Sequence, residues 1–338
     1  MPKSEPQFII PFAKPSGITS FTSLWQVKHA LGTKKVGHTG TLDSFADGLL
    51  VLLSGKLTKL VPYITDFDKT YRVLFYFGKE TDTLDPEGTV IAEKPLPVYA
   101  DFIAAIRQLT GTIEQVPPVY SAVKQAGERL SDKIRRGETV TVPPRTVTIY
   151  SIDIEEIFYV PDAEKSEIGA AQKVLGAVLC VRCSKGTYIR SLVRDIAHRC
   201  GSAAYVYALR RTAVGPFTLE QAAGFSALPP FGSTAADSKP ASYSVTEEEI
   251  KQAALPLNEE IARAMHFQTA VLQEKYYSAF MNGKPISEYW FTGTQPLSDG
   301  GTIAVFYEER CAGLITKKDN RFHYQIVFNR GRENESDA

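Results

Sequence analysis

The chain has 338 residues, 43% of them hydrophobic and 22% charged, and its 38 Lys and Arg balance 38 Asp and Glu. Such a length suggests two domains, and the composition excludes a globally disordered chain. A neutral total carries no signal of a polyanionic partner, although a nucleic-acid site needs only a local basic surface.

Four cysteines, Cys180, Cys183, Cys200 and Cys311, are too few and too irregular for a disulfide framework, so a reducing compartment is the default. Cys180-x-x-Cys183 has no second pair to complete a zinc site, and packing is the expectation for it. With no hydrophobic signal region and no apolar run of membrane-spanning length, a cytoplasmic protein without membrane contact is expected.

Phe8 to Phe12 reads as a short strand entering the turn Lys14-Pro15-Ser16-Gly17-Ile18-Thr19-Ser20. Ser20 is placed to cap a helix whose apolar stripe is Phe21, Leu24, Trp25 and Leu31, with Gly32 closing it. Then comes Gly37-His38-Thr39-Gly40-Thr41-Leu42-Asp43-Ser44-Phe45-Ala46-Asp47-Gly48, running into Leu49 to Gly55, which reads as a buried strand. A Gly-rich loop permits close approach of a ligand or another chain, and a core strand at its end holds it rigid.

Thr58 to Ile64 reads as a short helix and Tyr71 to Phe77 as a strand with Tyr71, Val73, Phe75 and Phe77 on one face. A polar turn from Gly78 to Gly88 carries Asp82 and Asp85, and Phe102, Ile103, Ile106 and Leu109 follow helical spacing. Val116 to Thr148 is the most basic stretch, compatible with a solvated surface or with an RNA-facing arm. Val147 to Phe158 and Val174 to Cys183 read as strands. Ile189, Leu192, Val193, Ile196 and Ala197 mark an amphipathic helix whose opposite face carries Arg190, Arg194 and Arg199. Tyr205 to Arg211 reads as a further strand. Helix and strand alternate without regular βαβ units, which argues for α+β around a mixed sheet.

Residues 226–247 read as a linker or insertion, 248–330 as a small separate unit with helices and strands, and 331–338 as a flexible tail. The loop lacks the Lys-Ser/Thr ending of a P-loop, no Gly-x-Gly-x-x-Gly opens a strand-to-helix unit, and the elements of zinc deaminases are missing. What remains is a carboxylate on a rigid loop with an arginine at a helix start. A carboxylate acts as nucleophile or base while it stays ionised, and an adjacent arginine favours that form. A loop aspartate that merely caps a turn is the competing reading.

Gly37-His38-Thr39-Gly40-Thr41-Leu42-Asp43 resembles the catalytic motif of the TruB family of tRNA pseudouridine-55 synthases. Four further segments match in the same order: Lys14-Pro15-x-Gly17-x-Thr19-Ser20, Lys69-x-Tyr71-x-Val73, Pro117-Pro118-x-Tyr120-Ser121-Ala122-x-Lys124, and Cys183-Ser184-Lys185-Gly186-Thr187-Tyr188-Ile189-Arg190, and Leu209-Arg210-Arg211 ends the block. The resemblance implies a mixed, largely antiparallel central sheet flanked by helices over 1–225, a basic RNA-binding arm at about 117–148, and a β-rich PUA-like domain over 248–330.

It also implies isomerisation of uridine-55 in the tRNA T-stem-loop to pseudouridine with no metal or cofactor. Asp43 corresponds to the catalytic aspartate, Tyr71 to a tyrosine that stacks on the flipped base and is a candidate to take the C5 proton in the final step, and Arg190 to the arginine paired with the aspartate. His38 corresponds to a histidine that helps displace the base, and Tyr188 and Leu209 to pocket-lining positions. Lys14 and Asp82 fall in matching segments, where substrate contact and structural support are both open. In the arm, Lys124, Arg129, Lys133 and Arg136 are suited to phosphate contact. A stand-alone monomer without guide RNA or obligate protein partner is expected. A tRNA-folding chaperone, or the catalytic subunit of a guide-RNA particle, is the alternative, and chaperoning is compatible with catalysis.

Overall fold

The computed structural model describes residues 5–119, 124–125, 128–129, 136, 142–160, 171–233, 245–292 and 297–328. In chain order, β1 is Ile9–Lys14, α1 Ser20–Ala30, β2 Val36–His38, β3 Asp47–Ser54, α2 Val61–Thr65, β4 Lys69–Phe77, β5 Lys79–Thr81 and β6 Val90–Glu93. Next are α3 Tyr99–Leu109, β7 Gly111–Gln115, β8 Lys124–Gln125, β9 Glu128–Arg129, β10 Arg145–Tyr159, β11 Val174–Cys183, α4 Ile189–Arg199, β12 Ala204–Val214 and β13 Phe217–Thr218. The C-terminal part holds α5 Glu247–Gln252, α6 Glu259–Ala264, β14 Gln268–Leu272, α7 Glu274–Met281, β15 Phe291–Thr292, β16 Thr302–Tyr307, β17 Arg310–Lys318 and β18 Arg321–Val327.

The main sheet runs β1-β3-β12-β4-β11-β10-β7, with β2 on β3 and β13 on β12. Among the described residues its one parallel strand pairing is β3 with β12; the others are antiparallel. This is the mixed, largely antiparallel α+β architecture expected. A second sheet, β15-β14-β16-β17-β18, forms the β-rich C-terminal part.

Strand periodicity explains why Leu49 to Leu53 is a continuous apolar run. Alternate side chains point to opposite faces, and both faces of β3 are covered. Leu49, Val51 and Leu53 join one core, which extends into the C-terminal part through Leu257, Phe267, Phe306, Leu314 and Ile326. Leu50 and Leu52 join another with Leu24 and Val27 of α1 and Ile250 of α5. A third core lies where Tyr71, Val73, Phe75 and Phe77 of β4 meet Phe102 and Ile106 of α3 and Leu192, Val193 and Ile196 of α4.

The C-terminal part shares a core with β1 and β3, Lys56 Nζ donates to the Val327 carbonyl at 2.8 Å, and the Tyr63 ring packs edge-on to Phe267. Two local expectations are corrected. Thr19, not Ser20, caps α1, its hydroxyl accepting from Thr22 N at 3.1 Å. The apolar stripe predicted for α1 splits: Leu24 is buried, whereas Phe21 is 71% and Trp25 68% exposed. The buried face is Ser20, Ser23, Leu24, Val27 and Ala30. Ser20 lies inward because its hydroxyl bonds to the neighbouring loop, and the Ser23 hydroxyl turns back to the Thr19 carbonyl at 3.5 Å.

Candidate active site

The loop from Thr39 to Asp43 forms one wall of a cleft of about 730 Å³, and Tyr71, Tyr188, Arg190 and Leu209 line it as well. Four separate elements deliver these groups. Tyr71 sits on β4 opposite Arg211 of β12 and Val181 of β11. Tyr188 precedes the first residue of α4, where the Gln115 side chain accepts from Tyr188 N at 2.8 Å and donates to its carbonyl at 3.2 Å. That clamp fixes where the helix starts, and therefore where Arg190 points.

Arg190 does not lie on the solvent face of α4, as its place beside Arg194 and Arg199 suggests; it is 5% exposed. Its Nε is 2.9 Å from Asp43 Oδ2, and its Nη1 donates to Asp85 Oδ2 at 2.9 Å and to the Thr83 carbonyl at 2.8 Å. A buried guanidinium is tolerable only when paired and hydrogen-bonded, which these partners accomplish. Burial pushes the Asp85 carboxyl up, while hydrogen bonds from Thr83 and Glu87 and the charge of Arg190 draw it back. Asp43, 39% exposed, is the half of the pair that meets the cleft.

The loop is braced from below. Ser20 Oγ donates to the Leu42 carbonyl at 3.1 Å and accepts from Leu42 N at 2.9 Å, gripping both polar groups of the residue before Asp43. Lys14 is fully buried; its ammonium donates to the carbonyls of Pro15 at 2.8 Å and Ile18 at 2.7 Å, and reaches Ser44 at 3.4 Å. The lysine is thus beneath the loop rather than on its solvent side. Burial brings its pKa down to about 8, against the pull of Asp47 and Asp43.

Arg211, 3% exposed, donates to the Leu49 carbonyl at 2.8 Å and the Gly40 carbonyl at 3.2 Å. Gly48 is required for this approach: its φ is +109°, and a Cβ there would stand 2.4 Å from the Arg211 carbonyl oxygen. Tyr71 is buried, and burial raises its pKa against the Arg211 charge. Lys69, on the cleft floor, is lowered to about 8, burial again first.

The remaining predicted residues fall elsewhere. His38 pairs with Leu52 in β2 and is not among the cleft-lining side chains; burial, then Arg211, lower its pKa, and its buried Nδ1 has no hydrogen-bond partner among the described residues. Asp82 Oδ1 accepts from Thr89 N at 2.9 Å, closing its own turn. Lys124 and Arg129 face each other across the β8–β9 hairpin, Arg136 is exposed, and Lys133 lies outside the described residues.

Asp85, Arg211, Lys69 and Ser20 are not singled out as site residues by the sequence, although each stands in or beside a quoted segment. Exposed Arg145 and Lys185 add positive charge to the cleft. No cluster of metal-ligating side chains occurs among the described residues.

The folded chain therefore offers a carboxylate, a buried guanidinium and an aromatic floor in one basic cleft on an α+β scaffold. Solved structures with this fold include an H/ACA RNP bound to a substrate RNA containing 2′-deoxyuridine, at TM-score 0.60 and 20% identity, covering 96% of this chain and 86% of the other. A Cbf5-Nop10-Gar1 complex matches at TM-score 0.59 and 22% identity, over 95% and 84%.

The TruB family pseudouridylate synthase N-terminal domain matches residues 28–189. The tRNA pseudouridine synthase B of Treponema pallidum (strain Nichols) is 42% identical over 363 residues, spanning 96% of this chain and 98% of the relative. That of Treponema denticola is 44% identical over 353 residues, spanning 95% and 98%. The chain belongs to the TruB family of pseudouridylate synthases. Among the described residues no helix is long and apolar enough to cross a membrane.

Proposed function

We propose that this chain isomerises uridine to pseudouridine in tRNA, at position 55 of the T-loop, as a stand-alone enzyme without metal, cofactor, guide RNA or obligate protein partner. The observation that carries this reading is the Asp43–Arg190 pair at 2.9 Å in a cleft whose floor includes Tyr71. Relatives named tRNA pseudouridine synthase B, matched along nearly the whole chain, support the tRNA substrate.

The reaction breaks the N1–C1′ bond of the uridine and forms a C5–C1′ bond to the same uracil; C5 releases a proton and N1 gains one, so nothing is consumed. Asp43 serves as the ionised carboxylate beside the sugar, whether it attacks C1′, attacks C6 or removes the 2′ proton. Arg190 favours the ionised form by charge and orients it.

Burial disfavours the charged form of the Tyr71 phenol, against the Arg211 charge, and its ring offers the stacking surface for the displaced base. Tyr188 and Leu209 complete the pocket walls. His38 assists displacement of the base, whose extraction from the stack costs about a few kcal/mol. Lys124, Arg129, Lys133 and Arg136 of the arm, with Arg145 and Lys185, hold phosphates. We assign 1–225 as the catalytic domain, 226–247 as linker and 248–330 as the PUA-like domain.

Tritium release from tRNA carrying 5-tritiated uridine tests the reading. Purified wild type alone releases tritium, Asp43→Asn releases none, and a transcript with cytidine at position 55 retains its label. No release by the wild type sinks the activity; release by the variant removes Asp43 from its role; release from the cytidine transcript moves the site.

A further inference from the structure

We propose that the exposed face of α1 is a second RNA-contacting element, a stacking strip for unpaired bases of the substrate outside the nucleotide held in the cleft. The proposal rests on the tRNA reading above. Phe21 and Trp25 are the large exposed side chains of this helix, at 71% and 68%. They stand four residues apart, about 6 Å along the axis.

Each ring carries a basic side chain: Lys28 Nζ lies 5.7 Å from the Phe21 centroid, and the His29 imidazole stacks on Trp25 at 5.5 Å with 5° between the planes. Lys34 and Lys35 follow, both exposed. Acidic groups meet the far end of the helix and the loop after it: Glu247 of α5 is 3.6 Å from His29, and Glu5 Oε1 accepts from Thr33 Oγ1 at 3.2 Å.

The chemistry selects among occupants. Protein interface centres are depleted of charge, whereas here the Lys28 ammonium lies over the Phe21 ring itself. Aromatic platforms interleaved with cations are what single-stranded nucleic acid requires, since every base has a π face and every linkage a phosphate. The strip begins one residue after Ser20, whose hydroxyl grips Leu42, and Leu42 lines the cleft beside Asp43.

Fluorescence provides the test, because the only other tryptophan, Trp290, is buried. Emission of the full-length protein is followed on addition of unmodified tRNA transcript or a short oligouridylate, with Trp25→Phe as the control that assigns the signal. Both RNAs should quench Trp25. Phe21→Ala/Trp25→Ala should weaken tRNA binding and raise KM by about tenfold with kcat unchanged, and Trp25→Phe should keep most of the affinity.

Unchanged Kd and KM in the double variant, or Trp25 emission indifferent to saturating tRNA, overturns the proposal. So does a wild-type dimer that the double variant dissociates with RNA affinity intact, which would make a second copy the occupant. Quenching without pseudouridine formation would fail the functional reading and leave the strip standing; pseudouridine formation with Trp25 silent would do the reverse.

Discussion

Arg190 Nε and Asp43 Oδ2 are 2.9 Å apart, and the other end of the same guanidinium is held by Asp85 at 2.9 Å. One buried cation thus joins an exposed carboxylate that meets the cleft to a buried one that does not. The geometry makes Asp85 the anchor of the pair.

Asp85→Asn keeps the shape and removes the anchoring charge, so Arg190 should lose its fixed direction. Single-turnover rates should fall by about a hundredfold or more while tRNA affinity changes little. Asp85→Ala, which leaves the guanidinium buried with half its pairing gone, should also cost about 3–5 kcal/mol in urea unfolding. Wild-type rates in Asp85→Asn would dissolve the anchor.

Ser20→Ala removes both hydrogen bonds to Leu42 without touching the cleft surface. Two buried backbone groups lose their partner, at about 1–3 kcal/mol for each. The expected result is a lower kcat with KM preserved, since the loop that carries Asp43 is loosened while the RNA surface remains. Ser20→Thr, which retains the hydroxyl, should recover part of the loss.

Lys14 yields a pH dependence with a defined sign. Its folded pKa of about 8 lies below the ordinary value of 10.5. Between those pH values the folded chain binds fewer protons than the unfolded chain, so this residue makes stability rise with pH across the window. The slope is at most about 1.4 kcal/mol per pH unit. Urea midpoints at pH 7.5 and pH 9.5 should show a relative gain in the wild type that Lys14→Met lacks; equal slopes in both proteins would contradict it.

Neutralising Arg129, Lys133, Arg135 and Arg136 together should weaken tRNA binding and flatten its salt dependence. The slope of log K against log salt should drop by about 0.7–0.9 for each phosphate that the arm no longer neutralises. Unchanged binding at low and high salt would remove the arm from the interface.

Much of the fold is legible because its signals are local. The alternation from Tyr71 to Phe77, the uninterrupted apolar run of β3 and the amphipathic α4 state their own burial. Phe21 and Trp25 mislead because apolar spacing identifies a helix face without saying what covers it. Ser20 resembles a cap because Thr19 beside it offers the same hydroxyl chemistry, and the choice is made by Leu42, distant in the chain. Of the site, Asp43, Tyr71, Tyr188, Arg190 and Leu209 converge on one cleft. Asp85 looks like any acid of a polar turn, since its partner Arg190 is 105 positions away.

Residue order by itself determined the elements, the mixed sheet and the family, through periodicities and motifs that span only a few neighbours each. It also identified Asp43 as the residue to question. Tertiary structure decided which acid anchors Arg190, that Lys14 works beneath the loop, that the C-terminal part shares a core with β3, and that two aromatics of α1 face water. Those outcomes depend on which desolvated groups find partners, and partners are brought together by strand pairing and helix packing across long stretches of chain.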